Sequence, residues 1–506
     1  MLLSLKIHGY YITLFAKKHY FLKNMKKNVT FDEKKIIAAV FLLLSAVYIS
    51  LVWNNNVWMD EAFTASLVHT DLAGVISRSM ADTLPPLYNI ILKFTTDVFG
   101  YTVPVMKMTS VVPMLLTLLA GATTVRKRFG IRTAVLFMLL ITFMPLVLYY
   151  GVEIRMYSMG FLFATLSGIW AYENVCEPSV KNLAVFTVVS TLAGYTHHFA
   201  FVTAAFAYLY LLLWYIFFDR KNLKRWFGAL AATFVLYLPC LIVTLSQLSR
   251  VSGYFSMPDI DVRQFLEYVV YPYKVGITPL TVLCLIFAAT ALVMFFYTVF
   301  YRKNRDAKYI FAILCFSVYY GVLVFGTIIS KIMTANIFVD RYLFFAVGLL
   351  WMFAAIMFSD DKRIFTAAIL VILAVGAGTY SMEIKTEYAN SADEEIAFLR
   401  DNVGKGDVLF CIGQHEELQN CIPFYTYLDS EGEELTFVYP LENAIETARD
   451  NGTVLWIAIL EGYEPSDEQL RILKNNSLSL HKQADFEFDR YRCALYTAEP
   501  DTFVKK

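Results

Sequence analysis

The stretch Val57-Trp58-Met59-Asp60-Glu61-Ala62-Phe63-Thr64 comes directly after the first long apolar run, Ile36 to Trp53. Two adjacent carboxylates thus stand at the edge of a membrane-length segment, among aromatic and aliphatic residues. Acids in that position are costly to keep unless they serve a function. The plainer reading makes Asp60 and Glu61 solvated loop acids at the start of a helix, where Asp is a common cap. On this stretch alone the two readings stand level, and the rest of the chain has to separate them.

Of the 506 residues, 58% are hydrophobic, more apolar surface than a soluble chain of this length needs and about what a multi-spanning membrane protein uses. The formal net charge is zero, so no basic field points to a nucleic-acid partner. The sequence holds 33 Tyr and 42 Phe, many near the ends of apolar runs, as interfacial belts require. The seven cysteines form no CxxC pair and no zinc spacing. Cys240, Cys284 and Cys315 fall inside apolar runs and read as small core residues. Cys411 and Cys421 lie close together in the polar tail and could pair if that tail is outside the cell, leaving Cys493 over. Residues 1–35 read as a basic cytoplasmic tail rather than a cleavable signal, because His8, Lys17 and Lys18 break the first apolar stretch. Met25 is an alternative start.

Spans are expected near 36–53, 104–124, 132–150, 156–174, 182–196, 199–218, 226–246, 278–300, 309–330, 341–358 and 363–380. The segment Pro85-Pro86-Leu87-Tyr88 to Phe99-Gly100 is short and carries Asn89, Lys93 and Asp97. It either spans or lies flat as an interfacial helix. The positive-inside rule decides between these. If 85–99 lies flat, the basic tail, Arg126-Lys127-Arg128 with Arg132, Arg220 to Arg225, Arg302 to Lys308 and Lys362-Arg363 all fall in the cytoplasm. The expected protein is therefore a polytopic α-helical membrane protein of about eleven transmembrane helices plus one outer surface helix, N-terminus inside and C-terminus outside. Its membrane region runs over 36–382, with a first outer loop at 54–103. Residues 383–506 turn polar. They carry strand-like runs at Asp407–Ile412, Leu435–Tyr439, Thr453–Leu460 and Tyr491–Tyr496, with helix-like stretches at Asp393–Asn402 and Asp467–Asn475, which implies an extracytoplasmic α/β domain.

That topology gathers the unusual polar residues on the outer face: Asp60, Glu61, Asp82, Glu153, Arg155, Tyr157, His197, His198, the loop 247–277, and Asp340-Arg341-Tyr342. Asp60 on a loop above the bilayer is placed to deprotonate an incoming hydroxyl. Glu61 would then orient the acceptor or bind a metal, since adjacent side chains rarely point the same way. Arg155 and Arg341 lie at the outer ends of spans and suit bidentate grip of a phosphate, against the plainer reading of snorkelling to lipid headgroups. Arg263, Lys274 and Lys331 are weaker candidates of the same kind. His197 and His198 form the only adjacent His pair. With Glu61 or Asp82 one of them could hold a divalent metal, though an interfacial His is more often simply hydrogen-bonded.

A base, phosphate grips and lateral access between helices suit transfer of a sugar from a lipid phosphate to an extracytoplasmic acceptor, with the leaving phosphate stabilised by arginines. There is no Walker motif, no GxGxxG after a strand and no GxSxG. Two other readings stay open: a lipid-linked sugar transporter or flippase, and a glycan ligase using diphosphate-linked lipid donors. The apolar mid-depth of the spans and the lack of an internal repeat count against a transporter.

The residues also resemble a family. Trp58-Met59-Asp60-Glu61, Asp82-Thr83-Leu84-Pro85-Pro86-Leu87-Tyr88 and Glu153-Ile154-Arg155-Met156-Tyr157-Ser158, in that order, look like the GT-C integral-membrane glycosyltransferases, in the branch of protein O-mannosyltransferases and aminoarabinose transferases. Tyr195-Thr196-His197-His198 and Arg341-Tyr342 are shorter matches, and the resemblance covers about residues 36–350. It implies a polyprenyl-phosphate sugar donor, an inverting displacement and an extracytoplasmic acceptor at a plasma membrane. It also implies Asp60 as base, with Arg155 and Arg341 on the donor phosphate. Asp82, Tyr88, Glu153, Tyr157, His197, His198 and Tyr342 complete the expected substrate site. Relatives often carry a polar residue just before the two prolines. Leu84 stands there instead, so any contact from that side chain is absent.

Overall fold

The computed structural model describes residues 31–254, 260–304, 306–333, 336–388, 392–413, 435–488 and 491–500. Cys421, Arg305 and most of the basic tail lie outside these residues. Ten of the eleven expected spans each fall on one helix. Among the described residues seven helices are long and apolar enough to cross a membrane: Val103–Phe129, His198–Phe218, Arg220–Gln247, Thr278–Tyr301, Ala307–Ile332, Asp340–Phe358 and the helix Lys362–Tyr388. The chain is thus a multi-pass membrane protein. The helices Phe31–Ile49, Tyr157–Cys176 and Val180–Thr196 account for the other single-helix spans.

The expected span at 132–150 is two helices, Ile131–Phe143 and Val147–Val152. Pro145 is the cause. The residue before a proline is pushed out of the helical region, and Met144 is extended at φ −75°, ψ 157°. Leu146 then takes a left-handed φ of 72°. Hydropathy does not fall at this break, so the run looks continuous in the sequence. The offset carries Glu153 and Arg155 onto the end of the bundle.

The bundle is centred on Phe344–Phe358, in which every residue is buried. An all-apolar helix has no face to spare for a polar medium and belongs inside. It packs closely on Tyr157–Cys176. A Cβ on Gly160 would stand 2.5 Å from the Phe345 ring, and one on Gly168 2.4 Å from Leu349. Small residues let the two backbones approach, the packing mode membrane helices rely on. Peripheral helices keep apolar residues on the outside instead, such as Ile242 at 70% exposed and Val293 at 67%. That outward face suits lipid.

The first loop is more ordered than its sequence suggests. It holds Met59–Val68 and Leu72–Ala81 as well as the expected surface helix, Leu87–Phe99. Asp71 caps the second of these, accepting from the Gly74 amide at 2.8 Å.

Beyond the last membrane helix, Asp393–Asn402 leads into a five-stranded sheet: β1 Val408–Ile412, β2 Thr436–Phe437, β3 Leu455–Leu460, β4 Leu478–Phe488 and β5 Tyr491–Pro500. The order is β2-β1-β3-β5-β4, with β1 parallel to β2 and β3 and with β5 antiparallel to β3 and β4. Leu441–Asn451 and Asp467–Asn475 provide the crossover helices. β4 and the Leu441–Asn451 helix are absent from the expectation. β4 is an edge strand with polar residues such as Ser479, Lys482 and Gln483, so its composition resembles a loop.

Asp407 staples this sheet. Buried at 4% exposure, it accepts from the amides of Gly404 and Val454 at 2.8 and 2.9 Å and from Trp456 Nε1 at 2.8 Å. Asp407→Ala leaves these buried donors unmatched and is expected to destabilise the domain by about 3 kcal/mol. Limited proteolysis should then cut within 393–500 well before the membrane helices lose their far-ultraviolet signal.

Candidate active site

The candidate site grows from the N-terminus of Met59–Val68. Trp58 is extended, at φ −104° and ψ 174°, and Asp60 and Glu61 occupy the first turn, where the helix dipole favours acids. Their roles divide at once. Glu61 turns inward and is buried; its Oε2 accepts from the Trp58 amide at 3.0 Å and its Oε1 from the Ile154 amide at 2.7 Å. One carboxylate thereby fixes the helix start to the Glu153-Ile154-Arg155 segment. Trp58 Nε1 adds a second tie, donating to Glu153 Oε1 at 2.8 Å.

Asp60 faces the opposite way, into a cluster of cations. Arg341 Nη1 donates to its Oδ2 at 2.8 Å, and Arg155 Nη2 lies 3.9 Å from the same oxygen. Arg155 Nη1 also donates to Thr64 Oγ1 at 2.9 Å and to the Asp60 carbonyl at 3.3 Å. Arg341 comes from the short turn Asp340–Leu343, directly before the central helix, and Arg155 from the link between Val147–Val152 and Tyr157–Cys176. Within the trio itself two guanidinium groups face one carboxylate, with Asp82 also in electrostatic reach of Arg155 and Asp340 of Arg341. Paired guanidinium groups are matched to an anion of higher charge than a carboxylate, with phosphate the geometric fit for arginine.

A small cleft lies beside Arg155 and is lined by Phe63, Thr64, Leu67, Asp82, Leu84, Pro85, Tyr88, Asn89, Arg155 and Met156. Its far wall is rigid. Tyr88 OH bonds Ser110 Oγ at 2.7 Å, Asn89 Nδ2 bonds Ser79 Oγ at 2.9 Å, and Gln247 Nε2 holds the Leu84 carbonyl at 3.0 Å. Leu84 thus offers the cleft an apolar side chain and a backbone group already engaged.

Burial shapes the acids. It pushes Glu61 up to about 7, opposed by Lys107 and reinforced by Glu387. Glu153 is held well above the usual carboxylate range by burial first and by Glu61 second. Several buried polar atoms here have no hydrogen-bond partner among the described residues: Glu153 Oε2, Arg155 Nε, Tyr157 OH, Ser158 Oγ and His197 Nε2.

The fold brings the expected residues to one end of the bundle, but not to equal standing. Asp60, Arg155 and Arg341 meet directly. Tyr342 packs on His197 with ring centroids 4.6 Å apart, and His197 on Phe345 at 4.5 Å. Tyr157 lies against Tyr150 at 4.9 Å. His198 is occupied elsewhere, its Nε2 bonded to Gln247 Oε1 at 3.1 Å. Arg263 pairs with Glu267 at the surface, at 3.3 Å. Lys274 and Lys331 are exposed.

No group of three His, Cys, Asp or Glu comes within reach of one metal ion among the described residues. Of the residues weighed for a metal, both Glu61 oxygens accept from amides and His198 Nε2 meets Gln247 Oε1, and His197 and Asp82 are not part of a metal-holding group among the described residues. Thr64, Asn89 and Gln247 are absent from the expected site. Of these only Thr64 carries a signal in the sequence, lying four residues after Asp60 and so on the same face of a helix.

The sequence matches no family model and no curated protein. Solved structures do match. ArnT from Cupriavidus metallidurans in the apo state superposes with a TM-score of 0.63 at 11% identity, over 91% of this chain and 97% of that one. The same protein bound to undecaprenyl phosphate matches with TM-score 0.63 at 12% identity, over the same 91% and 97%. A looser likeness, TM-score 0.46 at 12% identity over 83% of this chain and 68% of that one, is to the Archaeoglobus fulgidus oligosaccharyltransferase. Over 91% of its length the chain has the fold of ArnT, a GT-C fold.

Proposed function

We propose that the protein is a membrane glycosyltransferase that moves a sugar from a polyprenyl-phosphate donor to an acceptor on the outer side of the plasma membrane. The observation that carries this reading is Asp60 held between Arg155 and Arg341 beside a small cleft. The ArnT fold and the undecaprenyl phosphate bound to that protein support it.

In this reading the donor phosphate enters the arginine cluster and takes over the guanidinium groups. Asp60 is released from Arg341 and accepts the proton of the acceptor hydroxyl as its oxygen attacks the anomeric carbon. The sugar–phosphate bond breaks on the opposite face, with inversion, and the charge left on the lipid phosphate is met by Arg155 and Arg341. Glu61 does not react; it positions Asp60 through the Trp58 and Ile154 amides. Asp82, Tyr88 and Asn89 line the approach. Glu153, Tyr157 and His197 offer their unspent polar atoms to the sugar, His198 stiffens the cleft wall through Gln247, and Tyr342 supports His197. The active site and the domain 383–506 both face outward.

Incubation of the purified protein with a panel of polyprenyl-phosphate hexoses and a cell-envelope extract, with mass spectrometry of the lipids, tests the reaction class. Wild type is expected to consume one donor. Asp60→Asn, folded and equally helical, is expected to lose at least about a hundredfold in rate, within the range general-base catalysis supplies. Full activity in Asp60→Asn, or no consumption of any monophosphate donor by wild type, contradicts the assignment.

The positioning role of Glu61 has its own consequence. Its ordinary value is 4.5, and burial moves it to about 7. Between these values the folded protein keeps a proton that the unfolded chain has released, so stability falls as pH rises through the window, by on the order of 3 kcal/mol. The unfolding temperature should drop between about pH 4.5 and about pH 7, and Glu61→Gln should flatten part of that slope, the remainder belonging to Glu153. An identical slope in Glu61→Gln would contradict it.

A further inference from the structure

The segment that delivers Asp60 is held from the far end of the chain. Between the first membrane helix and Trp58, a run of residues bonds to the end of Lys362–Tyr388 or to the start of the C-terminal domain. Ser50 Oγ meets Tyr380 OH at 2.7 Å, and Tyr388 OH donates to the Ser50 carbonyl at 2.6 Å while accepting from the Trp53 amide at 3.2 Å. Asn56 Nδ2 donates to the Glu387 carbonyl at 2.9 Å and Asn56 Oδ1 accepts from the Ala392 amide at 3.0 Å. Asn55 Nδ2 donates to Asp393 at 2.8 Å, on the helix that opens the C-terminal domain.

Beneath this seam lies a charged pair that the reaction does not use. Lys107, 1% exposed, comes from the first turns of the helix Val103–Ala120, in which it is the one charged residue. Its ammonium pairs with the Glu387 carboxylate and donates to Asn54 Oδ1 at 2.9 Å. The same Asn54 oxygen accepts from the Asn56 amide at 3.0 Å, which turns the chain toward Trp58. A buried ion pair contributes little net stability and is often matched by apolar residues of like volume. Its retention beside the catalytic loop calls for another role, and fixing one arrangement out of several is the best-attested use of such groups.

We propose that Lys107, Glu387 and Asn54 are positioning residues that lock the Asn54–Trp58 segment, and through it Asp60, to the base of the C-terminal domain. This rests on the glycosyltransferase reading for its consequence in catalysis, but not for the mechanical coupling. The C-terminal domain is then part of the scaffold of the site, because the chain that carries it clamps the loop that carries the base. Displacing a reacting group by about an ångström costs on the order of a hundredfold in rate, so a loosened clamp is felt in turnover.

The test compares wild type with the double variant Lys107→Met/Glu387→Leu, which removes both charges together, and with Asn56→Ala, which cuts the seam without touching a buried charge. Hydrogen–deuterium exchange of the peptide 54–63 is measured in nanodiscs, with the helix Val262–Val270 as internal reference. Faster exchange in 54–63 alone, an unfolding temperature near wild type, and a drop in kcat of about tenfold or more with little change in donor KM support the proposal. A double variant with wild-type exchange in 54–63 and wild-type kcat shows the pair to be a structural filler and overturns it. If the double variant does not fold, Asn56→Ala decides the matter by the same two readouts. If wild type consumes no donor, the glycosyltransferase reading fails, while the exchange result still decides the coupling: faster exchange upholds it and unchanged exchange overturns it.

Discussion

Everything at the site end of this bundle depends on one carboxylate facing two guanidinium groups. Asp60 and Arg341 are 281 residues apart and meet at 2.8 Å, and Arg155 approaches the same oxygen from a third element. Bringing like charges together is unfavourable by itself. The arrangement persists because Asp60 neutralises part of that charge and because the elements carrying the arginines are fixed by packing: Arg341 begins the fully buried central helix, and Arg155 lies beyond the Pro145 break. The trio keeps two guanidinium groups to one carboxylate beside a small cleft, a state that favours a more highly charged anion over the carboxylate already there.

In the proposed reaction Glu61 serves its neighbour Asp60 by not reacting. Its two oxygens are used up by backbone amides from two different elements. A single side chain thereby sets the distance between the Asp60 helix and the Arg155 link. Burial makes this costly for the ionised form, which is the physical sense of its raised titration. Lys107, farther out, offsets some of that cost and at the same time ties the loop to the last membrane helix. Position of Asp60, the proposed base, charge balance and the start of the C-terminal domain are thus parts of one network.

Much of this is legible in the sequence where a local pattern carries it. Membrane-length apolar runs place the helices, and the sign of the flanking loops gathers Asp60, Arg155 and Arg341 on one expected face. The short motifs around Asp60, Pro85-Pro86 and Arg155, read in order, point to the GT-C fold. What stays hidden depends on contacts distant in the chain. No local pattern says that Glu61 will find the Ile154 amide, that His198 will be occupied by Gln247, or that Asn56 will bond to residues 387 and 392. Lys107 is visible as a lysine near the start of an apolar span, but its partner lies 280 residues away. The break at Met144 has a local cause in Pro145, yet hydropathy is blind to it. The edge strand β4 escapes a sequence reading because an exposed edge carries loop-like residues.

The central claim is that Asp60 occupies the arginines in place of a phosphate. Binding of a polyprenyl phosphate to the protein in nanodiscs tests this most directly, because competition fixes the sign of the effect. Asp60→Asn removes the internal competitor and should bind the lipid phosphate more tightly than wild type, while losing transfer; Arg341→Ala should bind it more weakly. Weaker or unchanged binding in Asp60→Asn would contradict the account, since the carboxylate and the phosphate would then not be sharing the same guanidinium groups.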